Sequence, residues 1–410
     1  MKFNKYIFEE IFLSGICFNK IEINTNRIDI HCKSVGDSLD IDDTLYFEFS
    51  EDITVDENQI ALALATLCGK VYDRIFMDLN INKCLLDDIA DFTNAEIQVN
   101  KVMDEDFVND LSEDNLMLGF SGGFDSLAEY NLLKDCDFFE NVYLVSLDLQ
   151  GRFSREKEFF KIFEPFTVKT NIVDLKLNRN HWSFMYIPQI LFSSFLDAKY
   201  ISVSAEFHAG PYGFDEKFTL NSRTNQIPLS YLGLERIPFT MGLTGIGTSM
   251  ITIHYTPELI DLSLKSLANK GEEKRYRKQL IIDILSKKYN KKVFLEHVKE
   301  GNKHKWNRMI GLDFFSLYFI KNAGIDEASK VMAGIPDEAI EFANSLSLDF
   351  YEKYNINFLN SIPERFRLKF LQKLVECGIY PYNSVDWKEY FEVSEFLSNY
   401  YPALKKRLNK

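Results

Sequence analysis

Apolar and polar side chains alternate in short runs through residues 1–55, as in KIEINTNRIDIHC and DTLYFEFS, and this period of two predicts antiparallel strands. Apolar positions then fall at helical spacing along DENQIALALATLCGKVYDRIF. Together they predict a small α+β unit over residues 1–110, closed by MDEDFVNDLSEDN (103–115), whose composition is that of a linker. From 116 the pattern changes. LMLGF (116–120), NVYLVSLDL (141–149), TVKTNIVDLK (167–176) and KYISVSA (199–205) read as strands. Helical patterns separate them at 125–135, 154–166 and 183–198. Such βαβα succession with continuously apolar strands predicts an α/β unit over 115–285, a parallel sheet with helices on both faces. Ligands of such sheets sit at the carboxyl ends of the strands. Beyond about 290 strand signals stop, and 286–410, including RFRLKFLQKLVECGI, reads as a helical C-terminal region.

Composition adds few constraints. With 410 residues, 46% of them hydrophobic, the chain can build two or three cores. Its net charge of −14 resides in residues 1–110, which hold 23 acidic and 9 basic side chains. That balance argues against free nucleic acid as the partner. Residues 271–310 reverse it, with 12 Lys/Arg against 5 Asp/Glu, either as a surface for an anionic ligand or as solvated helix faces. The six cysteines show no CxxC and no pairing rhythm, which predicts reduced thiols in a cytoplasmic protein. Glu9 and Glu10 break the apolar start of the chain, against a secretory signal, and no apolar run approaches the roughly 20 residues that span a bilayer. A homo-oligomer or a partner protein remains compatible with all of this.

The most informative stretch is SGGFDS (121–126), between the strand at 116–120 and the helix that follows. Gly122 and Gly123 can take positive φ and bring bare N–H groups close to a ligand. Phosphate oxygens suit that place, because unpaired N–H groups and the helix dipole both favour negative charge. Ser121 and Ser126 add hydroxyl donors. Asp125, an anion inside a phosphate nest, needs a cation between it and the phosphates, so it is the natural Mg2+ ligand. A tight turn with a capping box, Ser126-Leu127-Ala128-Glu129, is the plain structural alternative. It accounts for Ser126 and Glu129 but not for Ser121, Gly122, Gly123 and Asp125 together. No GK[ST] follows these glycines and no G-x-G-x-x-G occurs.

In that context SGGFDS resembles the SGGxDS signature of the PP-loop ATP pyrophosphatases, the group that includes asparagine synthetase, GMP synthetase and 7-cyano-7-deazaguanine synthase. The resemblance implies an adenine nucleotide alpha-hydrolase-like fold over about 115–285 and ATP cleaved between its α and β phosphates. An acceptor oxygen, from a carboxylate or a ring carbonyl, would be adenylated, and an amine or ammonia would then displace AMP. Carried over by position, Ser121, Gly122, Gly123 and Ser126 would bind the pyrophosphate portion of ATP, with Phe124 in the same nucleotide-binding loop and Asp125 on Mg2+. The separate N-terminal unit and the order of elements are similar to the deazaguanine-synthase branch. That branch places a zinc-binding cysteine cluster after the last sheet strand, whereas 266–285 here has no cysteine, so neither zinc nor that branch's substrate carries over. The acceptor is left as a small molecule or a protein. Met1-Lys2-Phe3 offers no cysteine beside the initiator as a glutaminase nucleophile, so nitrogen is expected free or from a partner.

Further candidates each have a plain alternative. Lys274 and Lys278, with Arg275 and Arg277, open a predicted helix, where the dipole disfavours cations. They are read either as phosphate contacts that offset charge on the leaving group or as a solvated basic helix end. Glu206 and His208, after the strand at 199–205, face the same crevice in a general acid/base or substrate-orienting role or lie in a surface turn. Asp148 ends its strand and meets the nucleotide ribose or solvent. GLTGIGTSM (242–250) reads as a second glycine-rich loop on the substrate side. The expected function is an ATP-dependent ligase-like enzyme with Mg2+. The rivals are a tRNA sulfur-transfer enzyme on the same loop, which the acidic first segment and scattered thiols disfavour, and a non-catalytic ATP-binding sensor or assembly subunit.

Overall fold

Three strands follow from the early alternation: β1 (Gly15–Ile23), β2 (Arg27–Val35) and β3 (Asp42–Phe49), paired antiparallel with Ile16, Phe18, Ile28, Ile30, Leu45 and Phe47 turned inward. The computed structural model describes residues 14–36, 40–104, 110–214 and 227–408. The apolar start of the chain with Glu9 and Glu10, and 105–109 of the acidic stretch, lie outside the described residues. Helix α1 (Glu57–Cys68) opens on a capping box between Asp56 and Gln59. After it come β4 (Arg74–Asn82), α2 (Lys83–Thr93) and β5 (Glu96–Met103).

The strand and helix alternation then appears as β6 (Asn115–Gly119), α3 (Phe124–Leu133), β7 (Asn141–Asp148), α4 (Lys157–Phe163), β8 (Phe166–Thr170), α5 (Ile187–Phe192) and β9 (Tyr200–Val203). Several ranges are shorter than the periodicity predicts: β9 takes only Tyr200–Val203 of 199–205, and the helical run that begins at Asp56 stops at Cys68, its last residues, Arg74 to Phe76, belonging to β4. The strand expected over 167–176 stops at Thr170, because Asn171 turns the chain: its side chain accepts from the Tyr46 N–H and its carbonyl from the N–H groups of Asp174 and Leu175. The helices expected over 154–166 and 183–198 each begin as a 3-10 turn, at 151–156 and 182–186, and their α-helical parts are only α4 and α5. Elements that were not anticipated include β10 (Glu235–Arg236) and α6 (Gly245–Tyr255). Helix α7 (Ile260–Leu267) and α8 (Glu273–Lys288) follow, then the C-terminal helices beginning with α9 (Ile310–Ala323). Two two-residue strands, at 304–305 and 332–333, interrupt the otherwise helical C-terminal region.

The second half of the sheet runs in the order β10-β9-β6-β7-β8, all parallel. Numbered from β6, this is 5-4-1-2-3, so the chain reverses direction across the sheet between β6 and β9, and the crevice outside their carboxyl ends is where such sheets take ligands. β3 pairs antiparallel with β8, so the strands of the first hundred residues extend the same sheet to ten strands. Alternation within β6 and β7 divides two cores. Leu116, Leu118 and Leu144 face a core shared with α3, α6, α8 and the C-terminal helices. Met117, Val145 and Leu147 face one shared with α1, α5 and the first five strands. No described helix is long and apolar enough to cross a membrane. All six cysteines are free thiols.

Candidate functional site

The glycine loop lies where β6 passes into α3, at the reversal point of the sheet. Two serines one turn apart on α7 hold its carbonyls: Ser266 Oγ donates to Ser121 O and Ser263 Oγ to Gly122 O, each at 2.9 Å. A trans peptide sets its C=O and N–H on opposite sides, so this anchoring turns the N–H groups of Gly122 and Gly123 away from α7. Ser126 Oγ donates to Gly123 O at 3.1 Å and is 3.4 Å from the Ser121 N–H. Leu127 N–H to Gly123 O (2.9 Å) opens the helix, so the N–H groups of its first turn have no intrahelical partner. The capping box that was the plain alternative does not form. Gly123 is the N-cap, which puts Ser126 inside the first turn, and Glu129 points into the protein instead of back to the cap.

Asp125 is held from three sides. Its carboxylate accepts from Thr248 Oγ1 at 2.9 Å and pairs with Lys278 Nζ at 3.4 Å, and Lys274 stands near enough to act on its charge. Burial alone would push this carboxyl up. Lys278, the Thr248 hydroxyl and Lys274 outweigh that and bring it from 3.8 to about 2. Lys278, with a side chain only 5% exposed, also donates to Gly245 O at 3.3 Å and lies 5.2 Å over the Phe124 ring. Lys274 has its ammonium lowered, chiefly by desolvation, with Arg277, Lys278 and Arg155 adding to the fall and Asp125 opposing it. Thr248 is shared: its Oγ1 is also 3.2 Å from Glu206 Oε1. Glu206 Oε2 meets His208 Nε2 at 3.1 Å, and the imidazole packs against Phe314 and Phe315 with its buried Nδ1 unpartnered.

Two cavities meet at this cluster. One, of about 190 Å3, is floored by Ser121, Gly123, Asp125 and Ser126 and walled by apolar side chains including Val145, Leu147, Phe184, Pro188 and Val203. The other, of about 510 Å3, is lined by Glu206, His208, Lys274, Arg277, Lys278 and Arg308 over an apolar base that includes Phe315. Asp125 belongs to the first and its partner Lys278 to the second.

The structure thus brings together Ser121, Gly122, Gly123, Asp125, Ser126, Lys274, Lys278, Glu206 and His208, from segments up to 157 positions apart. Two predicted residues stand apart. The Phe124 side chain is fully buried in the core beneath Lys278, so only its backbone faces the loop. Asp148 is engaged by Lys157 Nζ (3.2 Å) and the Gln150 N–H (3.2 Å) and does not line the first cavity, although its neighbours Leu147 and Leu149 do. The 242–250 segment is not a loop on the substrate side. From Gly245 it is the start of α6, capped by Thr244 Oγ1, and its glycines serve close packing. A Cβ on Gly245 would come within 2.9 Å of Phe315 Cζ, 3.1 Å of Lys278 Nζ and 3.2 Å of Glu206 Oε1.

Sequence reasoning missed Thr248, Ser263 and Ser266, whose hydroxyls are unremarkable until α6 and α7 dock against the loop. It also missed Glu156, which lines the first cavity. Burial, reinforced by Asp148, carries its carboxyl up to about 7 against the pull of Arg155 and Lys274. Glu129 was read only as a cap. It is fully buried one turn beyond Asp125, accepting from the hydroxyls of Ser202 and of Ser204 (2.6 Å), and burial raises its carboxyl from 4.5 to about 7 despite those bonds and Arg236. Since the folded state keeps this proton to a higher pH than the unfolded chain does, unfolding free energy should fall as pH rises from about 4.5 to about 7. Glu129→Gln should remove that part of the decline, on the order of 3 kcal/mol, and be the more stable protein at pH 8. Denaturant titrations of both proteins across pH 4–8 read the difference, and parallel curves would contradict it.

Among the described residues no three His, Cys, Asp or Glu side chains gather as ligands for a metal ion. A cation at Asp125 would therefore draw most of its ligands from elsewhere, as Mg2+ does when it is bound by one or two carboxylates and substrate phosphates. The donor chemistry fits that arrangement, with the Asp125 carboxylate beside Glu206 and both on the Thr248 hydroxyl. Compared with protein-family models, curated proteins and solved structures, the chain matches none.

Proposed function

We propose that this chain is an ATP-dependent adenylating enzyme, releasing AMP and pyrophosphate in the course of joining an acceptor to an amine or ammonia. One observation carries the reading: the Asp125 carboxylate, 2.9 Å from Thr248 Oγ1 and 3.4 Å from Lys278 Nζ, stands beside a glycine loop whose carbonyls are held by α7, at the reversal point of a parallel sheet. The resemblance of SGGFDS to the PP-loop signature supports the choice of the α–β bond.

In this reading the base occupies the apolar cavity walled by Val145, Leu147 and Phe184, and the phosphates follow the loop toward the second cavity. The first cavity is smaller than the roughly 300 Å3 of an ordinary ligand pocket, so the nucleotide extends beyond it. Asp125, with Glu206 adjacent, would hold Mg2+, whose charge offsets that of the phosphates. The N–H groups of Gly122, Gly123 and the first turn of α3 receive the β and γ oxygens. An acceptor oxygen forms a bond to the α phosphorus as the bond to the bridging oxygen breaks, and the pyrophosphate leaves carrying the electron pair. Lys278 and Lys274 stabilise that developing charge. The amine then attacks the adenylated carbon, AMP departs, and the Glu206–His208 pair takes the proton from nitrogen.

Full-length protein incubated with Mg2+, α-labelled ATP and the small-molecule fraction of a cell extract should give labelled AMP and an equal amount of pyrophosphate. Formation of ADP and phosphate would exclude the reading. Nucleotide bound one to one and recovered intact as ATP would make the protein a sensor.

A further inference from the structure

The second cavity holds more positive charge than the nucleotide reading uses. Of the four Lys and Arg that line it among the described residues, Lys278 is matched by Asp125, and Lys274 feels Asp125 more than any other charge. Arg277 is paired through Nε with Glu273, which leaves its two Nη groups, and Arg308 remains. Arg277 is built into the wall: its side chain is 11% exposed and stacks 5.5 Å over the Phe315 ring. Its Nε is fixed by Glu273 Oε1 at 2.7 Å. Glu273 is itself buried, with His304 Nε2 at 3.5 Å from its other oxygen. A guanidinium held through Nε keeps its two Nη groups as a fork, the geometry that takes a carboxylate or phosphate through two parallel bonds. Among the described residues neither Lys274 nor Arg308 has an ion-pair partner. Among the described residues Glu206 is the one carboxylate that lines this cavity, and it is engaged with His208 and Thr248. Holding the mostly buried Arg277 and the buried Lys278 close to Lys274 and Arg308 without a further anion is unfavourable, because the first two have lost hydration and like charges repel.

We infer that the acceptor carries an oxyanion group, distinct from the oxygen that is adenylated, and that Arg277 grips it with Arg308 at the cavity mouth. The body of the molecule rests on the apolar base formed by Phe315, Ile310 and Leu312. The ligand class is thus a small organic molecule, apolar on one face, with a carboxylate or phosphate at its far end. This rests on reading the second cavity as the acceptor's.

The probes are malonate and inorganic phosphate, titrated calorimetrically into full-length protein saturated with a non-hydrolysable ATP analogue, so that the glycine loop is already filled. Wild type should bind at least one of the two, malonate tighter if the natural group is a carboxylate and phosphate tighter if it is a phosphate. Arg277→Gln should weaken binding by about tenfold or more, the worth of one charge-assisted hydrogen bond. Arg308→Gln, at an exposed position with no folding role, should weaken it by a smaller factor, and Arg277→Lys, which keeps the charge and loses the fork, should fall between. Binding of both anions unchanged in Arg277→Gln and Arg308→Gln would overturn the inference, as would no binding to the analogue-saturated wild type. An equal loss of analogue affinity in Arg277→Gln would assign that residue to the nucleotide and also overturn it. Should wild type fail to bind the analogue at all, the ATP reading fails, while the anion titration on the same protein still reports on Arg277.

Discussion

Asp125→Asn should reduce AMP and pyrophosphate release by on the order of 1000-fold, the scale of losing one well-placed electrostatic contribution to phosphate chemistry. Asparagine keeps the size of the side chain and can keep the Thr248 bond, so the loss is one of charge. That charge matters twice. It is the carboxylate that would hold Mg2+ at the loop, and it is the anion 3.4 Å from Lys278, whose side chain is 5% exposed. Leaving Lys278 without it should also lower stability, by about 1–2 kcal/mol rather than the larger cost of breaking a fully buried pair, because Asp125 itself is 38% exposed. The pH dependence has a definite sign. A carboxyl depressed from 3.8 to about 2 contributes its stability above about pH 4 and loses it as pH falls toward 2, and the variant should lack that acid limb. Product assays and urea unfolding at pH 2–7 measure both effects. Near-normal turnover in Asp125→Asn would remove the basis for the proposed function.

Gly122→Ala is the second change with a large expected effect, and it acts through the backbone. Gly122 has φ +72°, and a Cβ there would stand 2.3 Å from two ring atoms of Phe159, a distance no pair of carbons tolerates. Phe159 cannot withdraw easily: it is fully buried and packs against Phe120 and Phe163. The left-handed conformation and the overpacking together should cost about 2–5 kcal/mol. Any relief that moves the loop also tilts the N–H groups of Gly122 and Gly123, so affinity for an ATP analogue should fall even where the variant folds. Gly123 provides the control. Its φ is −71° and the nearest atoms to an added Cβ are 3.4 and 3.7 Å away, so Gly123→Ala should cost well under half as much. Thermal unfolding and analogue titrations of the two variants separate them; equal destabilisation would mean that the loop conformation differs from the one described.

Much of the α/β portion was legible because it depends on local patterns. Continuous apolar runs at β6 and β7 give strands buried on both faces, and SGGFDS is legible because its chemistry is contained in six consecutive residues. Helix lengths were not, since 151–156 and 182–186 close as 3-10 turns whose short bonds leave no mark on apolar periodicity. GLTGIGTSM was misread for a related reason. Glycine signals either a turn or a close approach, and only the neighbours of Gly245, namely Phe315, Lys278 and Glu206, show that here it is the second.

The linear order of residues determined the strand alternation, the place of the glycine turn between β6 and α3, and which charged side chains the chain has to offer. Tertiary structure alone decided that α7 would hold the loop carbonyls through Ser263 and Ser266, that Thr248 would stand between Asp125 and Glu206, and that Arg277 would lie over Phe315. Periodicity and turn chemistry act over a few neighbouring positions. A hydrogen bond or ion pair between segments more than a hundred residues apart exists only once the cores on both faces of the sheet have fixed where each helix lies.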